Sequence, residues 1–280
     1  MPEGPEIRLA ADKVAAALVG HEITRVAFAF DRLRKFESRL CGRRVIDVRT
    51  RGKAMLTCFD NDWVIYSHNQ LYGRWFTCRQ GVIPDTRRQL RAEIHNRKNS
   101  AFLYSASDID VLHHDELDQH PFLSRLGPDI LSDKPDARLI LERMLAPQFH
   151  NRQLAGLLLD QSFLAGLGNY LRAEILTLAR LHPSRRPVDC SREQLQKLAR
   201  LIIRTTHRSY RTRGIVNPPG LVRQLRSQGK SARAEYRFNS YGREGEPCHY
   251  CGERIRCANA GGRKMYFCPG CQPAPERVEV

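Results

Sequence analysis

No stretch of this 280-residue sequence approaches the ~20 consecutive apolar residues of a membrane-spanning helix, and the mean hydropathy is −0.49. The first residues are acidic and carry no continuous apolar segment, so no secretory signal is expected at this end. Internal repeats and long low-complexity tracts are missing, which sets aside repeat arrays and chains of biased composition. Nor is there a basic amphipathic helix with an exposed aromatic face, the mark of a membrane-surface binder. Acidic side chains are short in number: 30 Asp and Glu stand against 46 Lys and Arg, for a formal charge of +16. Residues 1–130 are nearly balanced, with 20 basic and 17 acidic side chains, whereas residues 131–280 carry 26 and 13. A half so basic points to a polyanion, with nucleic acid the leading candidate.

The length admits two domains, each with its own core. Residues 1–124 read as a leading helix followed by short strands: Ile23–Phe30, Arg43–Thr50, Ala54–Phe59, Trp63–Ser67, Leu90–His95 and Ala101–Ser105. Turn signals at Arg51-Gly52-Lys53, Asp60-Asn61-Asp62 and Asn96-Arg97-Lys98-Asn99 separate them, and the spacing predicts an antiparallel β-sandwich. Residues 125–135 read as a linker. From 136 the period turns helical, with Leu139, Leu141 and Leu145, then Leu154, Leu157 and Leu158, then Leu171, Ile175 and Leu178. A further helix starts at Ser191, where Gln194 completes a capping box. Periodicity is lost over 214–234, which fills with Gly, Pro, Ser and Arg and reads as a mobile loop closing a helical domain of 136–234.

The nine cysteines do not fit an oxidised framework in a chain with no secretory signal; reduced thiols and a metal site fit better. Cys248-x2-Cys251 and Cys268-x2-Cys271, separated by sixteen residues, match a four-cysteine zinc ribbon over 235–280. A closed set of four thiolates leaves no position for water, so one structural Zn2+ is expected and no catalytic metal. A segment of about forty residues lacks the core to fold by burial alone, and the metal supplies that energy. Between the two pairs, Gly261-Gly262-Arg263-Lys264 forms a hairpin tip whose cations read either as phosphate contacts or as solvated turn charges.

The N-terminus carries chemistry of another kind. With Met1 removed, Pro2 becomes a free secondary amine; at a pKa near ~7.7–8.0 roughly a tenth to a fifth of it is unprotonated at pH 7, against less than about a thousandth of an ordinary lysine. Such an amine can attack a sugar C1′ to give an iminium, an electron sink that makes neighbouring C–O bonds breakable. Glu3 and Glu6 lie within one helical turn and could move protons. The same residues read equally as an ordinary helix start, with Pro5 at a first helical position and both glutamates at the positive end of the dipole. If Met1 is retained, the proline nitrogen is an amide and the chemistry cannot begin.

A junction of two helices at Asp160-Gln161-Ser162-Phe163-Leu164-Ala165-Gly166-Leu167-Gly168-Asn169-Tyr170 offers a close approach to a phosphate backbone, with Asn169 opening the second helix. Together, Pro2-Glu3, this junction and the four-cysteine ribbon resemble the formamidopyrimidine-DNA glycosylase/endonuclease VIII family of base-excision repair enzymes, over essentially the whole chain. Met1-Pro2-Glu3-Gly4-Pro5-Glu6-Ile7-Arg8, Tyr66-Ser67-His68-Asn69-Gln70-Leu71-Tyr72-Gly73 and Ala155-Gly156-Leu157-Leu158-Leu159-Asp160-Gln161 carry a closer match to the bacterial endonuclease VIII branch.

The resemblance implies an α+β multidomain fold: an N-terminal antiparallel β-sandwich with a leading helix, then a helix–two-turn–helix domain and a zinc-ribbon hairpin. It implies a monomeric glycosylase and abasic-site lyase acting on double-stranded DNA in the cytoplasm, at the nucleoid. Pro2 would be the nucleophile, Glu3 the proton-transferring partner, Lys53 a phosphate or sugar contact assisting the chemistry, and Glu6 a lining residue. Gln70, Leu71 and Tyr72 would fill the gap left by an everted base; composition alone reads Leu71 and Tyr72 as core. Asn169 and Arg263 would grip phosphates flanking the lesion. The contiguous Gln-Leu-Tyr resembles the branch that removes oxidised pyrimidines, while 214–234 is longer and more basic than expected and puts the lesion spectrum in doubt. The alternatives are the same chemistry on oxidised purines, and a zinc-dependent DNA-binding protein without catalysis. The tail 272–280 is also longer than expected.

Overall fold

The computed structural model describes residues 2–275; Met1, and the last five residues of the tail, lie outside that range. The chain divides into two compact units after Leu126.

In the first unit, helix α1 (Gly4–Leu18) precedes eight strands. These are β1 (Ile23–Phe28), β2 (Val45–Arg51), β3 (Ala54–Phe59), β4 (Trp63–His68), β5 (Arg74–Arg79), β6 (Leu90–Asn96), β7 (Asn99–Tyr104) and β8 (Asp108–His113). Two short helices, α2 (Asp31–Arg34) and α3 (Glu37–Leu40), lie between β1 and β2. The strands form two antiparallel sheets, in the orders β2-β3-β4-β8 and β1-β6-β7-β5. The apolar stripe of α1 (Ile7, Ala11, Val14, Leu18) shares one core with Val26, Phe28, Ile94 and Leu103 from one sheet and Met55 and Ile65 from the other. Asn96 fixes the helix end: its Nδ2 donates to the Ala17 carbonyl at 2.8 Å. Its Oδ1 accepts from the Lys98 and Asn99 N–H groups, shaping the β6–β7 turn.

Strand β3 is buried on both faces. The outward side chains Ala54, Leu56 and Cys58 are covered, together with Tyr66, by Leu117 and Leu123 from the segment after β8. Strands β5 and β8 carry no clear sequence signal. In β8, Asp108 and Asp110 are poor strand formers, yet each has a partner: Asp108 accepts from the Tyr66 hydroxyl at 3.3 Å and Asp110 from Arg32 at 2.6 Å. Tertiary context overrides propensity there.

The second unit contains α4 (Ala137–Leu145), α5 (Leu154–Leu157), α6 (Asn169–Ala179), α7 (Arg192–Arg211), α8 (Pro219–Ser227) and α9 (Arg233–Arg237), then the hairpin β9 (Arg256–Ala260) and β10 (Arg263–Phe267). Ser191 caps α7, accepting from the Gln194 N–H, while Gln194 reaches back to the Ser191 N–H. The central helix α6 is buried almost all round, by Ile140, Met144, Leu158, Phe163, Leu195, Leu198 and Ile202 among others.

The segment 125–135, read as a linker, contains the division after Leu126, and the part beyond it is bonded into the second unit: Gly127 donates to the Gln161 carbonyl, and the Pro128 carbonyl accepts from Ala165. At Gly127 a Cβ would sit 2.3 Å from the Ser162 carbonyl oxygen, so only glycine fits. One sequence expectation needs correction: the stretch 214–234, read as a loop, contains helix. Helix α8 lies within it and α9 begins there; Leu225 of α8 is buried, as is Tyr236 of α9, and the Arg226 guanidinium lies 4.8 Å from the Tyr236 ring centre. Pro218, Pro219 and Gly220 masked the short period of α8, although proline is at home in a first helical turn.

Candidate catalytic and nucleic-acid-binding site

Pro2 and Glu3 stand at the N-terminal end of α1. Glu3 takes an extended backbone just before the helix, and its N–H donates to the Glu6 carboxylate at 3.1 Å. Glu6 thereby spends one oxygen on the helix start and fixes the backbone that carries Glu3. Glu3 is only 2% exposed. Lys53 lies at the turn between β2 and β3, two of the strands on which α1 packs. Gly52, at φ +61°, turns the chain there. A lysine on a hairpin tip is ordinarily solvated, yet Lys53 is 8% exposed. Its charge is felt by His68, whose imidazole is pushed below its ordinary value of 6.5 by burial, against the opposing pull of Asp108, with a smaller downward push from Lys53.

The β4–β5 turn holds Gln70-Leu71-Tyr72. Leu71 is 58% exposed and Tyr72 70%, so neither belongs to a core in the free protein. Gln70 occupies the left-handed region at φ +48°. Below the turn, Ser67 and Asn69 are buried polar residues.

In the second unit the helix junction is stitched by Gln161. Its Nε2 donates to the carbonyls of Leu159 and Leu167, both at 2.9 Å, and its Oε1 accepts from the Gly166 N–H. Asn169 opens α6 and donates from Nδ2 to the Lys264 carbonyl at 2.9 Å. Arg172, one turn on and fully buried, donates to Asn169 Oδ1 at 2.5 Å and to the carbonyls of Ala155, Ala260 and Lys264. The two residues therefore bring the start of α6 to the tip of the β9–β10 hairpin, where Gly261 and Gly262, both at positive φ, leave Arg263 exposed.

Two more ties hold the ribbon to α6. The fully buried Glu174 accepts from the N–H groups of Asn239, Ser240 and Tyr241 at 2.7–2.9 Å and from the Asn239 side chain at 2.9 Å. Burial pushes its carboxyl above the usual range, and those donors pull the other way. Gln272, fully buried just after the last cysteine, donates to the Leu181 carbonyl and accepts from the Cys268 N–H and the Thr177 hydroxyl. Sequence reading singled out neither Arg172 nor Glu174, and took Gln272 for tail. The available signal was an arginine and a glutamate inside a helix that is otherwise apolar.

Cys248, Cys251, Cys268 and Cys271 place their four Sγ atoms within 4.8 Å of one another. Three of the pairs are 3.4–3.8 Å apart. Four sulfurs at ~2.3 Å around a tetrahedral zinc would be separated by about 3.8 Å, so the donor set fits a metal of that kind. The Tyr250 and Cys271 N–H groups point at the sulfurs of Cys248 and Cys268, as in a metal knuckle. Among thiols alone, burial pushes Cys268 up to about 11; a cation among the four sulfurs reverses that preference.

A helix start at Pro2 with a buried carboxylate beside it, an exposed apolar turn, a helix junction tied to a four-cysteine ribbon and a basic second half together suit a DNA glycosylase. Residues 1–106 match the formamidopyrimidine-DNA glycosylase N-terminal domain and 126–217 the formamidopyrimidine-DNA glycosylase H2TH domain. The chain belongs to the formamidopyrimidine-DNA glycosylase/endonuclease VIII family of base-excision-repair DNA glycosylase/lyases. Within it, the chain is 47% identical over 272 residues to Endonuclease 8 of Escherichia coli O1:K1, of Shigella sonnei and of Pectobacterium atrosepticum, covering 97% of this chain and all of each relative. The fold matches Lactococcus lactis formamidopyrimidine-DNA glycosylase non-covalently bound to DNA with an abasic site (TM-score 0.77, 19% identity, 97% of this chain and all of that one). It also matches that enzyme with DNA containing an oxidised pyrimidine (TM-score 0.79, 20% identity, 98% and 100%). Among the described residues, no helix is long and apolar enough to cross a membrane.

Proposed function

We propose that this chain removes oxidised pyrimidines from duplex DNA and then cuts the strand at the resulting abasic site, through a covalent intermediate on Pro2. The Pro2 nitrogen attacks C1′ as the glycosidic bond breaks, and the base leaves with a proton. Glu3 supports ring opening by protonating the sugar ring oxygen. The resulting iminium acidifies C2′; loss of that proton expels the 3′ phosphate, and a second elimination expels the 5′ phosphate, leaving phosphate ends. Lys53 contacts sugar or phosphate, Glu6 orders the helix start, and Asn169 and Arg263 hold flanking phosphates. One structural Zn2+ on the four cysteines maintains the ribbon that presents Arg263. The protein acts as a monomer in the cytoplasm, at the nucleoid.

The observation that carries the pyrimidine reading is the contiguous, exposed Gln70-Leu71-Tyr72 turn, an apolar wedge with a polar neighbour on one short loop. A second reading, excision of oxidised purines, draws on helix α8, which puts ordered structure into a segment that helps set base preference in this family. The two are separated by kcat/KM on duplexes carrying thymine glycol or 8-oxoguanine. At least a tenfold preference for thymine glycol is expected; the reverse preference would overturn the pyrimidine assignment and leave the Pro2 chemistry standing.

A further inference from the structure

We propose that Arg88 and Ser107 are positioning residues for the Gln70-Leu71-Tyr72 turn, holding it in a preformed shape before DNA is met. The inference rests on the reading of that turn as the wedge. Such a shape needs outside support, because the turn buries little of itself: Leu71 and Tyr72 are mostly exposed, and Gln70 sits in the left-handed region that side-chain-bearing residues disfavour. Its own bonds are short-range. The Gly73 N–H donates to the Asn69 carbonyl at 2.7 Å, where a Cβ on residue 73 would lie 2.6 Å from the Asn69 backbone. The Gln70 N–H donates to His68 Nδ1 at 3.1 Å.

Two further bonds come from distant sequence. Arg88, in the connection between β5 and β6, donates from Nη1 to the Tyr72 carbonyl at 2.5 Å. Ser107, between β7 and β8, donates to Gln70 Oε1 at 2.7 Å. One grips the main chain at the end of the triplet, the other the side chain at its start, and Leu71 stands between the two anchors. A wedge already shaped for insertion loses less conformational freedom on entering the stack, so its ordering cost falls on the fold and not on the encounter with DNA. Arg88 is exposed and lies outside the core clusters, so its replacement leaves the core intact.

The test compares Arg88→Ala and Ser107→Ala with wild type on thymine glycol in duplex DNA and on an abasic site in a single strand, where no stack must be filled. We expect kcat/KM on the duplex to fall about tenfold for Arg88→Ala and about threefold for Ser107→Ala, with the loss confined to the duplex. Amide exchange at Leu71–Gly73 should quicken in DNA-free Arg88→Ala. The salt dependence of duplex binding should keep its slope; a slope lower by about one would make Arg88 a phosphate contact and overturn the proposal. Equal loss on both substrates, or no loss on the duplex, would overturn it too. Leu71→Ala/Tyr72→Ala provides the reference. If that double variant shows no duplex-selective loss, the wedge reading itself fails; if it does and the Arg88 and Ser107 variants behave as wild type, only the bracing fails.

Discussion

Glu3 is a carboxylate held almost out of water next to Pro2, the residue proposed as nucleophile once Met1 is removed. Its backbone N–H is held by the Glu6 carboxylate. Glu3→Gln keeps the volume and removes the proton-transferring group. Excision and strand cleavage should drop by at least about 10²-fold, the lower range for a lost general acid, while duplex affinity measured by anisotropy changes less than about threefold. A parallel loss of affinity would argue against a chemical role. At the same scale, burial leads the downward shift of His68, His182 and His207 from 6.5, aided by Lys53, by Arg185, and by Arg211 and Lys134 respectively. Folded imidazoles then bind fewer protons than unfolded ones. Their contribution is complete above pH 6.5 and is lost as the pH falls below it. The urea midpoint should therefore decline between pH 7 and pH 5; a rising midpoint would contradict the assignment. Lys53 shows the limit of reading single residues, because a lysine between turn residues gives no sign of being buried. Leu71 and Tyr72 show the opposite limit, since apolar residues read as core until their surroundings are known.

At the scale of elements, α6 organises the second unit. Asn169, Arg172 and Glu174 all lie on it, and each bonds to the hairpin or to the segment leading into the ribbon. Replacing Glu174 by Gln turns an acceptor of several N–H donors into a group with its own donors facing them. A loss of about 2–3 kcal/mol is expected for such a mismatch at a buried charged site, read as a lower urea midpoint; an unchanged midpoint would contradict the tie. Most of the element plan was legible. Strands β3 and β4, the α7 capping box and the cysteine ribbon follow from period and spacing. The rest was not, for physical reasons. Strand β8 alternates its apolar residues with aspartates that only tertiary partners satisfy, and α8 is short and hidden behind two prolines, its Arg226 set against Tyr236 from outside the helix. Arg172 and Glu174 are charges inside an apolar helix, and only long-range carbonyls and N–H groups explain them.

At the scale of the whole molecule, the excess positive charge lies in residues 131–280, the half that holds the helix junction and the cysteine ribbon. Under the proposed function, a metal on the four cysteines would tie the hairpin carrying Arg263 into a ribbon too small to persist on core burial alone. Cys268→Ser, or chelation, should remove about one zinc per chain by elemental analysis, weaken duplex binding at least tenfold and abolish strand cleavage. Full activity without zinc would contradict a structural role for the ribbon.

The central claim is that Pro2 forms the covalent intermediate, and reductive trapping tests it most directly. The mature protein, with Met1 shown to be absent and zinc present, is mixed with cyanoborohydride and duplexes bearing thymine glycol, 8-oxoguanine or an abasic site. Any adduct is then mapped by mass spectrometry. The account predicts an adduct on the Pro2 nitrogen, formed fastest on the abasic duplex and more readily with thymine glycol than with 8-oxoguanine. An adduct on Lys53, or none on any of the three duplexes, would contradict it.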